Sequence, residues 1–199
     1  MIIIVVTGPS GSGKTFLANK ISKDLNNCIV LKTDSYYKDN FYIRFFSLFI
    51  KDIYDRFISI SDRNLLKTIE SIKNNEENIT YYNYKFNCKK SSKIIRKNKN
   101  NTKYLIVEGI FSHRINLNYK NSTNILCIET KEICFKRRLR RDQIERGRTK
   151  KEVNERFSKS WNLFFKHLHN YINSNHVYEI NSIDNISYKK LIDKVKNNN

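Results

Sequence analysis

Apolar residues fall into short runs along this chain, separated by longer stretches of mixed polarity. Residues 2–6 (Ile-Ile-Ile-Val-Val) are continuous and β-branched, which predicts a strand buried on both faces. Runs at 28–32, 104–107, 125–128 and 177–180 predict four more strands. Between them the apolar spacing becomes helical, over about 14–26, 65–72, 132–145 and 150–172. Strands alternating with helices predict an α/β fold with a parallel sheet covered on both sides. Such sheets bind ligands beyond the carboxyl ends of their strands.

Two stretches are less regular. Over 41–57, Tyr42, Phe45, Phe46, Phe49, Ile53 and Tyr54 recur at helical spacing. This predicts a helix with its aromatic face on the core and Arg44, Lys51, Asp52, Asp55 and Arg56 on its solvated side. Segments 79–84 and 93–96 predict a small hairpin, with a polar tract over 97–103 leading back to the sheet. No internal repeat or long linker interrupts the 199 residues, which predicts one domain over 1–199. Asn197 to Asn199 are expected to fray.

Composition narrows the classes. With 39% hydrophobic and 13% aromatic residues the chain is not disordered, and no stretch is long and apolar enough for a membrane helix. The four cysteines, Cys28, Cys88, Cys127 and Cys134, form no C-x-x-C pair, so neither a zinc site nor a disulfide framework is indicated. The opening lacks the charged n-region of a signal peptide, and a reduced, cytoplasmic setting is the expectation. Abundant Asn, Lys, Ile, Tyr and Phe match what an AT-rich genome imposes, so part of the net charge of +19 is compositional. Nucleic acid and membrane are not expected partners; a homo-oligomer is left open. The charge is nonetheless concentrated. Residues 85–104 hold eight cations and no acid, and 131–151 hold ten cations against three acids.

Only five glycines remain, and they mark the chemistry. Gly8-Pro9-Ser10-Gly11-Ser12-Gly13-Lys14-Thr15 matches G-x-x-x-x-G-K-[ST] directly after a strand and before a helix. Backbone N–H groups of such a loop cradle phosphates, Lys14 adds a charge at the β/γ side, and Thr15 offers a hydroxyl to Mg²⁺. Glu108 ends the strand 104–107 just before Gly109, where a carboxylate can hold Mg²⁺ as partner of that loop. Asp34 ends the second strand and is placed either as a turn cap or as the base that takes a proton from an attacking hydroxyl. The run 136–148 is the densest in arginine. Arg138, Arg141, Glu145 and Arg148 fall near one helical stripe, and Arg141 with Glu145 is also spaced as an i,i+4 pair.

Together these segments resemble the uridine kinase branch of the P-loop kinases, near uridine–cytidine kinases, phosphoribulokinase and pantothenate kinase. The phosphate loop, Asp34-Ser35-Tyr36-Tyr37-Lys38, Val107-Glu108-Gly109-Ile110 and Arg140-Arg141-Asp142 through Arg146-Gly147-Arg148 carry the likeness. It implies a three-layer α/β/α P-loop fold with an acceptor-side excursion at about 36–103 and an arginine-rich lid at about 136–150. It implies transfer of the ATP γ-phosphoryl group, with Mg²⁺, to a small acceptor, uridine or cytidine first. Asp34 would be the base, Lys14 and Arg141 would act on the transferred group, and Thr15 with Glu108 would hold the metal. Gly8, Ser10, Gly11, Ser12 and Gly13, with Arg141, Arg146 and Arg148, would hold ATP. Tyr84, Phe86 and Arg138 would line the acceptor site.

The likeness breaks at that acceptor site. The family's Tyr-Asp-Phe is Tyr84-Lys85-Phe86 here, followed by Lys89 and Ser91 where His and Arg are usual. The family's Asp-x-x-Asp falls at Ser59 and Asp62, so a ribose-gripping carboxylate is expected to be missing, and Arg156 replaces a Gln. The alternatives are a related kinase for an anionic metabolite and an NTP-dependent nucleic-acid-binding or regulatory protein.

Overall fold

The computed structural model describes residues 1–50, 53–86, 88–98, 101–115, 117, 122–181 and 184–197. In chain order the elements are β1 (Ile2–Thr7), α1 (Lys14–Leu25), β2 (Cys28–Lys32), α2 (Phe41–Phe49), α3 (Asp62–Lys73), β3 (Asn78–Lys85) and β4 (Lys90–Lys97). There follow β5 (Tyr104–Glu108), β6 (Ser122–Ile128), α4 (Lys131–Arg146), α5 (Lys150–Ser174), β7 (Val177–Asn181) and α6 (Asn185–Asn197).

Five strands form one parallel sheet in the order β2-β5-β1-β6-β7. Alternate residues of each strand feed opposite cores, as the pleat requires. Ile3, Val5, Leu31, Leu105, Val107 and Leu126 join Phe164 and Leu168 of α5 on one side. Ile4, Val6, Ile106, Ile125 and Cys127 meet Leu17 and Ile21 of α1 and Leu191 and Val195 of α6 on the other. Apolar residues are therefore needed at every position, which is why these strands read as unbroken runs. The hairpin β3–β4 stands apart as an antiparallel pair and packs Ile79 and Tyr84 into the first core with Leu65 and Ile69 of α3.

One expectation fails. The helix expected over 41–57 stops at Phe49, and two 3₁₀ turns, Ile53–Asp55 and Phe57–Ser59, follow. Its aromatic face points away from the core: Ile43 alone in α2 is buried, while Phe41, Tyr42, Phe45, Phe46 and Phe49 are exposed. Helical spacing shows that side chains share a face, and not which face the body takes. Asp55 is drawn inward by an ion pair with Arg138 at 3.0 Å rather than solvated. Lys51 and Asp52 lie outside the described residues, as do Asn198 and Asn199 and positions 99–100 of the polar tract.

Candidate active site

The phosphate loop joins the end of β1 to α1 at the rim of the sheet. Gly11 and Gly13 take φ of 91° and 94°, and a Cβ on Gly11 would run into the Cys134 carbonyl. No side chain caps α1 and no acid stands in its first turn, so the positive helix end faces the loop uncompensated. Lys14 Nζ donates to Pro9 O at 3.3 Å, folded back over its own loop. Ser12 Oγ is buried with no partner among the described residues.

Parallel register aligns the acids with this loop. Glu108 pairs with Val6 on one side and Lys32 on the other, so β1, β5 and β2 end at one level. Thr15 Oγ1 donates to Glu108 Oε1 at 3.0 Å. Glu108 is buried; desolvation pushes its pKa above the ordinary carboxylate value, with Lys14 opposing. Gly109 follows with φ of 156°, and a Cβ there would collide with Thr33 Oγ1. That contact seats the 3₁₀ turn Thr33–Tyr36 against the strand ends, with Asp34 in it. Asp34 Oδ1 is buried and has no partner among the described residues. Such an oxygen is left to accept a hydrogen bond from something outside the chain. A hydroxyl and a carboxylate held together are hard oxygen donors that fit Mg²⁺, which keeps most of its shell for water and phosphate oxygens.

The arginines gather on one residue. Asp142 in α4 is fully buried and receives Arg148 at 2.8 Å, Arg141 at 2.9 Å, Arg146 at 3.4 Å and Arg138 at 3.6 Å. Burial works against its ionisation, but Arg141 and Arg146 outweigh that and hold its carboxyl below the usual range. The geometry depends on Gly147, whose φ of 61° ends α4. Thr149 then opens α5 with a capping box to Glu152. Arg141 also reaches Ser10 Oγ of the phosphate loop at 3.5 Å. Arg138 is 2% exposed, donating to Ser160 Oγ at 2.6 Å and Asp55 Oδ1 at 3.0 Å.

These groups surround a cavity of about 360 Å³. It is lined by Ser10, Lys14, Asp34, Asp55, the four arginines and a wall of Tyr37, Tyr54, Tyr84 and Phe86. The rings brace one another, Tyr37 lying 5.3 Å from Tyr84 and 5.4 Å from Phe86. Arg146 sits 4.4 Å from the Phe86 ring centre, a cation–π contact that ties the arginine corner to the hairpin.

A scan of family models matches residues 3–183 to one described as phosphoribulokinase / uridine kinase. The chain belongs to this phosphoribulokinase/uridine kinase family. It is an ATP-dependent kinase. Among curated relatives, uridine kinase of Haemophilus ducreyi is 33% identical over 162 residues, covering 76% of this chain and 72% of that protein. Uridine kinase of Borrelia duttonii is 33% identical over 166 residues, 78% and 74% of the two chains. Among solved structures, the YGR205w protein aligns over 91% of this chain and 86% of its own with TM-score 0.66 and 14% identity. A structure from Bacillus stearothermophilus described as a possible uridine kinase aligns over 89% and 87%, with TM-score 0.59 and 16% identity. At those identities the likeness carries the fold alone.

Within this family kinase, the structure brings together Ser10, Lys14, Asp34, Tyr84, Phe86, Arg138, Arg141, Arg146 and Arg148 as the sequence expects. Two expectations change. Ser59 does not line the cavity; it is buried, donating to Arg56 O at 2.6 Å, while Asp55 places a carboxylate in the cavity lining. Glu145 is exposed, and Arg141 pairs with the adjacent Asp142. Of the hairpin positions that depart from the family, Lys89 lines the cavity, Lys85 does not, and the Ser91 backbone N–H donates to Asp39. Tyr37, Tyr54, Asp55 and Asp142 were missed as site residues. Asp142 carried a signal, being one acid flanked by arginines at −4, −1, +4 and +6.

Proposed function

We propose that this kinase transfers the γ-phosphoryl group of ATP, with Mg²⁺, to the 5′-hydroxyl of a pyrimidine nucleoside, uridine or cytidine. The observation that carries the reading is Asp34, a carboxylate with a buried, unpartnered oxygen lining the same cavity as Lys14 of the phosphate loop. Curated relatives named uridine kinase support the choice of nucleoside.

In this reading Asp34 accepts the proton as the acceptor O–H breaks and its oxygen bonds to the γ-phosphorus. Lys14 and the loop N–H groups hold the donor phosphates, and Arg141 and Arg148 meet the charge that spreads over the transferred oxygens. Thr15 and Glu108 hold Mg²⁺, which when bound neutralises phosphate charge. Tyr84, Phe86 and Tyr37 give the base an aromatic wall of mutually inclined rings, and Asp55, oriented by Arg138, accepts from ribose hydroxyls.

An anionic acceptor is the second reading. Seven cations line the cavity against two carboxylates. One experiment separates the two: ATP consumption measured with nucleosides, sugar phosphates and small acids, each product identified by mass. Turnover of uridine or cytidine to the 5′-monophosphate is expected. Turnover of an anionic acceptor with none of either nucleoside would replace the first reading with the second.

A further inference from the structure

Helix α2 exposes an apolar surface that nothing in the active site uses. Phe41, Tyr42, Leu48 and Phe49 are 69–74% exposed, and Phe45 and Phe46 nearly half. At about 100° per residue, Leu48, Phe41, Phe45, Phe49 and Tyr42 fall within an arc of roughly 120°. Ile43, the buried residue of α2, lies on the opposite side, so this arc is centred on the outward direction. The rings pack on each other instead of on the body, Phe41 on Phe45 at 6.0 Å and Phe45 on Phe49 at 5.3 Å. A continuous exposed patch of this kind marks a binding face.

The charge beside it indicates what binds. The β3–β4 hairpin is strapped alongside α2: Lys89 Nζ lies 3.5 Å from Ser47 Oγ, and the Ser91 N–H donates to Asp39 Oδ2 at 2.9 Å. Lys85, Lys90 and Lys93 of that hairpin are exposed, as is Arg44 on α2 itself. Asp39, the acid at the start of α2, is already engaged by the hairpin. Aromatic rings projecting outward from a helix that is backed by a bank of lysines and flanked by Arg44 are the pattern of a helix lying in a lipid interface. A second copy fits poorly, because pairing these faces would oppose two basic hairpins in molecules of net charge +19.

We propose that α2 and the β3–β4 hairpin dock this kinase on an anionic phospholipid surface. The rings enter the acyl boundary while the lysines meet acidic headgroups; no helix among the described residues is long and apolar enough to cross the bilayer. Co-sedimentation with phosphatidylcholine vesicles, with and without phosphatidylglycerol, tests this at low and high salt. Binding is expected only to the acidic vesicles, weakening with salt. A Phe41→Ser/Phe45→Ser/Phe49→Ser variant should bind roughly tenfold or more weakly, since even one lost buried ring carries that much. Its thermal unfolding midpoint should stay close to that of the wild type, because these rings are exposed. Lys90→Glu/Lys93→Glu should also weaken binding. The proposal is overturned if acidic vesicles are not bound, if phosphatidylcholine alone binds equally, or if the triple variant binds undiminished. It is also overturned if sedimentation equilibrium finds a dimer that the triple variant dissolves, which would assign the face to a second copy.

Discussion

In its proposed role as a metal-holding carboxylate, Glu108 meets two opposing demands. Burial favours its protonated form, while holding a cation requires the carboxylate. Because its folded pKa is raised, the stability from its protonated form is complete below the ordinary value of 4.5 and is lost as pH rises through the folded pKa. Glu108→Gln keeps an acceptor for Thr15 and escapes that loss. Its melting temperature should equal the wild type's below pH 4.5 and exceed it at neutral pH, while phosphotransfer falls by about 10- to 100-fold. A difference in melting temperature that does not change with pH would contradict the assignment. At Asp34 the proposed role is proton acceptance, so Asp34→Asn should lower kcat by roughly 10²–10⁴ with ATP affinity retained in calorimetry. Near-normal kcat would leave Asp34 as a cap of its turn.

Among the elements, α4 and α5 form the corner on which the arginines depend. Gly147 and the Thr149–Glu152 box make the turn legible in the sequence, because caps are local chemistry. The ion-pair hub is legible in part: the four arginines on Asp142 lie within six residues of it, but Arg138 finds Asp55 and Ser160 only when separate elements pack together. Removing the central charge leaves buried guanidinium uncompensated, so Asp142→Asn should lower unfolding free energy by about 3 kcal/mol. The exposed Glu145→Gln should change it by less than about 0.5 kcal/mol. Urea unfolding of both measures the contrast, and equal effects would remove Asp142 from the hub. In α2 the periodicity located the start of the helix but overran its end at Phe49 and misjudged its orientation. Its neighbours across the chain, the hairpin and the Ile53–Asp55 turn, decide which side is covered.

At the scale of the whole molecule, His113, which does not line the active-site cavity, ties acid stability to the packing of α5 on β1. Its ring Nδ1 meets Thr7 Oγ1 of β1 at 2.9 Å, and it packs edge-on against Phe164 of α5. Burial, with Arg114 and His167 adding, lowers its pKa from 6.5 to about 4. The unfolded chain takes up a proton across that interval and the folded one does not, so stability should fall as pH drops from 6.5 to 4. The loss for this group is about 3 kcal/mol. His113→Asn should flatten this slope, whatever it does to stability at neutral pH. Chemical denaturation at several pH values in that window reads the slope directly, and an unchanged slope would assign the acid loss elsewhere.

The phosphate loop, the five sheet strands and the hairpin followed from the sequence alone. Each is set by residues adjacent along the chain: unbroken β-branched runs, a glycine pattern between strand and helix, caps at helix ends. Parallel register then brought Glu108 and Asp34 to the loop, an outcome the strand-end positions already implied. Tertiary structure decided the rest. Asp55 in the cavity beside Arg138 and the outward rings of α2 depend on contacts between residues distant in sequence. Periodicity gives each side chain its direction about its own axis, and only the packing of one element on another turns that axis toward core, cavity or solvent.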